Sequence, residues 1–296
     1  MSVVKVKYFI VLSLVMVALL IAYIALNKVK QPKWETKRII RYAYIIENKT
    51  PESIKNIVFK SYSPLTISST QKLVALKSNH TFKNQPDKFG NQVMVFDIDF
   101  IPPYGKKKLT ITATLLLSEI VAGAGLDAKL YLSSQPKIEI ENQSIINLAH
   151  ELELSAQTAD VHATQKNIYH WLVDNIDYSG YGMGDKGALY ALQNLTGDCT
   201  EYAYLNVALN RVLGVPSRAV NGYVIFHDAK LNSSEFHTWS EVWLNGGWQV
   251  IDAQKNKFFE DQQNYIAMNI VIDTDSKNKA FKRFWISNPN LTVTMK

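Results

Sequence analysis

Cysteine is nearly absent: the 296 residues hold one, Cys199. A lone thiol excludes an internal disulfide, so no part of the chain is stapled, and the count leaves the redox compartment open. Histidine is sparse too, with six scattered positions. Six dispersed imidazoles and one thiol do not make a metal-ligand cluster. His162 and His170 share a helix but lack the four-residue spacing and acidic companions of a helical zinc site. No loop spaces its carboxylates as a calcium site requires. The formal charge of +6 is modest and forms no basic stripe with interleaved aromatics, which argues against a nucleic-acid partner. Neither a metal nor another cofactor is expected.

Charge is also missing from Tyr8 to Leu26, where Ser13 and two tyrosines are the only polar side chains. At 1.5 Å per residue such a helix spans about 28 Å, close to the hydrocarbon thickness of a bilayer. Ala22 and Ala25 do not have the spacing of a small-x-small cleavage site, so an uncleaved anchor is expected over residues 8–26. Lys5 and Lys7 precede it, and Lys28, Lys30 and Lys33 follow. That count leans towards a cytoplasmic C-terminal side, although long domains translocate largely regardless of flanking charge.

The length predicts about two domains after the anchor. Residues 1–34 are read as anchor and linker, 35–135 as a β-sandwich-like domain, and 136–296 as a second domain. In the β region Arg38–Glu47, Ile54–Tyr62, Gln92–Phe100 and Lys108–Leu117 read as strands. Leu109, Ile111, Ala113, Leu115 and Leu117 face one way, and Thr110, Thr112 and Thr114 the other. Met94, Phe96, Ile98 and Phe100 form a second apolar face. No catalytic constellation occurs here, and His80 reads as a solvated loop residue.

After Pro136 the pattern becomes helical, over Ser144–Leu154, Ala156–Ile176 and Lys186–Asn194. The stretch Asp177–Gly184 reads as an aromatic loop, whose Tyr178 and Tyr181 are candidates for a substrate-cleft wall together with Trp239. A further helix runs from Cys199 to about Leu213, capped by Thr196 or Asp198 and ended by Gly214 and Pro216. A cysteine in the first helical turn sits at the positive end of the dipole, which favours a thiolate. A free cysteine is equally a small buried hydrophobe, so its partners decide.

Those partners come from a hairpin. His237–Leu244 and Gly247–Ala253 alternate as strands about Asn245-Gly246, a strong two-residue turn signal. With that loop Trp243 pairs with Trp248 and Trp239 with Asp252, which places His237 and Asp252 on one face as diagonal neighbours. A carboxylate there can hold one imidazole nitrogen and leave the other for a thiol. A three-residue loop would flip the parity and separate them. His227, beside Asp228 in a polar loop, reads as a surface residue.

Four blocks together resemble the transglutaminase-like superfamily, whose core is papain-like. They are Gly197-Asp198-Cys199-Thr200-Glu201-Tyr202-Ala203; Gly214-Val215-Pro216-Ser217-Arg218 with Gly222-Tyr223; His237-Thr238-Trp239-Ser240-Glu241-Val242; and Gly247-Trp248-Gln249-Val250-Ile251-Asp252. The likeness covers about residues 140 to 270, and the region from 35 to 135 is similar to the β-domain that precedes this core in bacterial members. The resemblance implies an α+β fold in which the cysteine helix packs on an antiparallel sheet. It implies Cys199 as nucleophile, His237 as general base and then acid, Asp252 as the group that orients His237, and the Cys199 backbone N–H as an oxyanion donor. Arg218 matches a family position and is expected to be structural, pairing Glu201 or Glu241. Bacterial members with an N-terminal helix typically sit on the outer side of the membrane, so a periplasmic or cell-surface location is expected.

The function expected from the resemblance is a membrane-anchored cysteine enzyme that acts on amide bonds of a protein or peptide through a thioester. Water would make it a protease, amidase or deamidase, and an amine would make it a cross-linking transglutaminase. The alternative is a non-catalytic, membrane-anchored peptide-binding or assembly module that uses the same cleft.

Overall fold

The computed structural model describes residues 32–87, 89–121, 128–158, 160–182, 184–271 and 283–296. The anchor expected at 8–26 lies outside these residues, and among the described residues no helix is long and apolar enough to cross a membrane.

Six strands open the described chain: β1 (Thr36–Asn48), β2 (Ile54–Ser63), β3 (Gln71–Ser78), β4 (Lys83–Pro86), β5 (Gln92–Ile101) and β6 (Lys106–Leu117). β1 pairs with β6 along nearly its whole length, from Thr36 opposite Leu117 to Glu47 opposite Lys106, and β3 joins the far side of β6. β2, β5 and β4 form a second sheet. The alternating apolar faces of both sheets meet in one core built on Ile40, Tyr42, Tyr44, Phe59, Met94, Phe96, Ile111 and Leu115. Phe100 departs from the expected face. Asn56, on the paired strand, adopts a left-handed φ of 53°; beyond Ile98 the alternation breaks, and Phe100 turns outward while Ile101 is buried.

Four α-helices follow among the described residues: α1 (Gln143–Ser155), α2 (Val161–Asn175), α3 (Ala188–Asn194) and α4 (Cys199–Val212). The helix expected from Ala156 begins five residues later. Gln157 is left-handed at φ 53°, and the Asp160 side chain caps α2 by accepting from the His162 N–H. The short strands β7 (Asp177–Tyr178) and β8 (Thr196–Gly197) run parallel and lie against the start of α4. α1, α2 and α3 pack their apolar stripes around α4, through Ile145, Ala149, Ile168, Leu172 and Ala191.

The remaining strands are β9 (Ser217–Val224), β10 (Ala229–Lys230), β11 (His237–Leu244), β12 (Gly247–Asp252), β13 (Lys257–Phe258), β14 (Tyr265–Val271), β15 (Phe284–Ile286) and β16 (Leu291–Met295). Five of them make the sheet β13-β12-β11-β9-β14. α4 is thus covered by helices on one side and by this sheet on the other, and Cys199 to Arg211 are all buried. A helix enclosed all round belongs to the core, not to an amphipathic surface layer.

Residues 136–296 are not confined to this second layer system. β16 pairs with β1, β15 with β2, and β10 with β1, so C-terminal segments complete the sandwich sheets. Side chains join the two regions where strand pairing stops. The Gln71 amide donates to the Leu65 and Ala267 carbonyls and accepts from the Ala267 N–H, and Asn91 exchanges two bonds with Ile270. These amides satisfy the backbone along β14 that would otherwise be left unpaired in the interior.

Candidate active site

The approach to Cys199 is built by its own block. Asp198 accepts from the Thr200 N–H at 2.8 Å, and Glu201 reaches back to accept from the Asp198 N–H at 3.0 Å. This reciprocal pair is a capping box, so Asp198 and not Thr196 caps the helix. A Cβ on Gly197 would collide with the Cβ and Cγ of Glu201, which is why glycine precedes the cap. Burial raises Glu201 above the usual carboxylate range, against the pull of the Lys186 and Asp198 N–H bonds.

The hairpin register is the one expected from Asn245-Gly246. Leu244 pairs with Gly247, Trp243 with Trp248 and Ser240 with Ile251. Asn245 and Gly246 both have positive φ, at 53° and 80°, as a type I′ turn requires. His237 and Asp252 therefore share a face, and His237 Nε2 lies 2.7 Å from Asp252 Oδ2. Cys199 is the other side chain that acts on the ring and raises it. With Nε2 committed to Asp252, Nδ1 is the nitrogen left to face the thiol. Burial opposes charge on the ring. The hydrogen bond and charge of Asp252, together with the interaction with Cys199, outweigh it, and His237 is pushed up to about 9.

Trp239 does not offer a free face to a cleft. It is 1% exposed, stacks against His237 at 6.3 Å between ring centroids, and meets Tyr265 edge-on. Gly222 makes room for it, since a Cβ there would strike the Trp239 ring and the Ile266 carbonyl. Its indole N–H donates to Glu241, whose other oxygen takes Arg218 Nε at 2.8 Å. Arg218 lies over the Trp248 ring at 4.0 Å. Arg218 is therefore paired with Glu241, as one of the two expected partners, and Glu201 is engaged by the cap instead.

Tyr178 and Tyr181 are exposed, at 52% and 69%. The backbone beside Tyr178 is zipped to β8, with the Ser179 N–H donating to the Gly197 carbonyl. Burial raises the Tyr178 hydroxyl above its ordinary range, followed by the charges of Cys199 and Asp198. Further along, Gly182 N–H donates to Asp198 Oδ2 and Lys186 N–H to Glu201 Oε1. The two capping carboxylates thus also hold the loop that carries both tyrosines. Asp185 accepts from Tyr204 at 2.9 Å; burial raises it to about 7, partly offset by that bond.

One partner of the site was not read from the sequence. Tyr265 donates its hydroxyl to Asp252 Oδ2 at 2.9 Å. Its strand was legible as the apolar run Tyr265–Val271 after the polar Asp261-Gln262-Gln263-Asn264. Among the described residues no cluster of three or more metal-ligating side chains occurs.

A model of the transglutaminase-like superfamily matches residues 147–253, a stretch that contains Cys199, His237 and Asp252. An uncharacterized protein of Mycobacterium leprae is 30% identical over 105 residues, which are 34% of this chain and 37% of that protein. The match thus spans little more than a third of that relative's length. A candidate cysteine protease from Cytophaga hutchinsonii has a similar fold, with a TM-score of 0.57 at 16% identity over 88% of this chain and 92% of that one. The periplasmic domain of TgpA from Pseudomonas aeruginosa gives a TM-score of 0.39 at 14% identity, over 75% and 91% of the two chains.

Proposed function

We propose that the chain, whose residues 147–253 match the transglutaminase-like superfamily, is a cysteine enzyme which breaks amide bonds of a protein or peptide through Cys199, His237 and Asp252. The observation that carries this reading is the position of His237, bonded to Asp252 through Nε2 at 2.7 Å, with Cys199 as the other side chain that raises the ring. At neutral pH an imidazole raised to about 9 is protonated, which suits a thiolate–imidazolium pair.

Cys199 Sγ attacks the amide carbonyl carbon, and the Cys199 backbone N–H faces the developing oxyanion. The carbon–nitrogen bond then breaks as His237 Nδ1–H protonates the departing amine, leaving a thioester on Cys199. His237, now neutral, accepts a proton from water or from an incoming amine, which adds to the thioester and expels the thiolate. Water completes hydrolysis, and an amine completes a cross-link. Asp252 keeps Nε2 protonated and steadies the imidazolium throughout. Tyr178 and Tyr181 form part of the cleft wall beside Cys199.

The test is alkylation of the full-length chain by iodoacetamide at pH 6–7, with Cys199→Ala as control. Labelling of Cys199 well above the rate of a free thiol supports the reading, and a rate no faster than a free thiol overturns it. An amine-bearing probe followed by mass spectrometry then traps the thioester and reports the acyl acceptor. Function that survives Cys199→Ala would point to the peptide-binding module instead. The uncharged run at residues 8–26 supports a single-pass anchor. The domain is placed outside the cytoplasm, and protease accessibility in intact cells tests that placement.

A further inference from the structure

We propose that Tyr265 is a positioning residue of this site: it fixes the carboxylate of Asp252 and moderates its hold on His237. The inference rests on the Cys199–His237–Asp252 reading. Tyr265 donates to Oδ2 of Asp252 at 2.9 Å, the same oxygen that His237 Nε2 meets at 2.7 Å. The other oxygen, Oδ1, accepts from the Lys255 N–H at 3.2 Å. Three donors from three directions leave the carboxylate no free rotation, and Asp252 is only 2% exposed, so water is a poor substitute for any of them.

The phenol is itself held. Its ring meets Trp239 edge-on at 5.1 Å, and Trp239 in turn stacks on His237. Its strand, β14, pairs with β9 on one side, Tyr265 lying opposite Val224. Two residues along, Ala267 is bound through both its N–H and its C=O by the Gln71 amide from β3. The β-sandwich thus reaches the site through β14, with Tyr265 as the last link. Because the phenol O–H and the imidazole share one oxygen, the phenol draws off part of the negative charge that His237 would otherwise meet.

The discriminating variant is Tyr265→Phe, which keeps the ring and its packing and removes only the hydroxyl. The ring of His237 is titrated by NMR in the full-length chain, with its signal assigned by its loss in His237→Gln. Tyr204→Phe, which removes another buried hydroxyl that bonds a carboxylate, is the control and leaves the midpoint unchanged. A His237 midpoint higher by about half a pH unit or more in Tyr265→Phe is expected. An unchanged or lower midpoint overturns the proposal and makes Tyr265 a packing residue. The titration needs no turnover, so it decides the role of Tyr265 even if Cys199 in the parent chain proves no more reactive than a free thiol.

Discussion

Replacing Asp252 by asparagine keeps the shape of the side chain and removes its charge. In the parent chain His237 is raised from 6.5 to about 9. A group raised on folding contributes stability that is fully present below its unfolded value and is lost as pH climbs through its folded value. The window for His237 is therefore 6.5 to about 9. At about 1.4 kcal/mol per pH unit, the loss across that window is about 3 kcal/mol. In Asp252→Asn the carboxylate bond and its charge are gone, burial dominates, and most of that loss disappears. Urea denaturation of the full-length parent and variant at both ends of the window measures it. The parent should lose up to about 3 kcal/mol more than the variant between the two pH values. Equal pH slopes would refute the argument, because the raised imidazole would then owe nothing to Asp252. The same variant should alkylate Cys199 far more slowly, since an amide can hold the ring in the wrong tautomer.

Arg218→Met leaves Glu241 buried without its cation and should cost about 3–5 kcal/mol in urea denaturation, most of it recovered when Glu241→Leu is added. Gly197→Ala forces a Cβ against Glu201, breaks the capping box and should lower stability by about 1–3 kcal/mol, with slower alkylation of Cys199 as the accompanying readout.

Much of the site was legible before any coordinates because its signals are local. Asn245-Gly246 demands two positive φ values, and period-2 alternation then assigns every residue of the hairpin to a face. His237 and Asp252 fall on the same face for that reason alone. The start of α4 was legible to within a turn, with Thr196 or Asp198 as its cap, and the reciprocal bond from Glu201 is what selects Asp198. Helix α2 was less legible. The apolar spacing of Ile168, Leu172 and Ile176 sets a period without a first residue, and a left-handed Gln157 with an Asp160 cap moves the start to Val161.

Interactions between near neighbours set the hairpin register, the cysteine at a helix start and most strands of the sandwich, and these can be read along the chain. Packing between distant segments is what closes Tyr265 on Asp252, sets Trp239 against His237 within the core, pairs Arg218 with Glu241, and returns β15 and β16 to the sandwich. These contacts join segments far apart in the chain. They depend on how completed elements pack, and no periodicity within either partner encodes them.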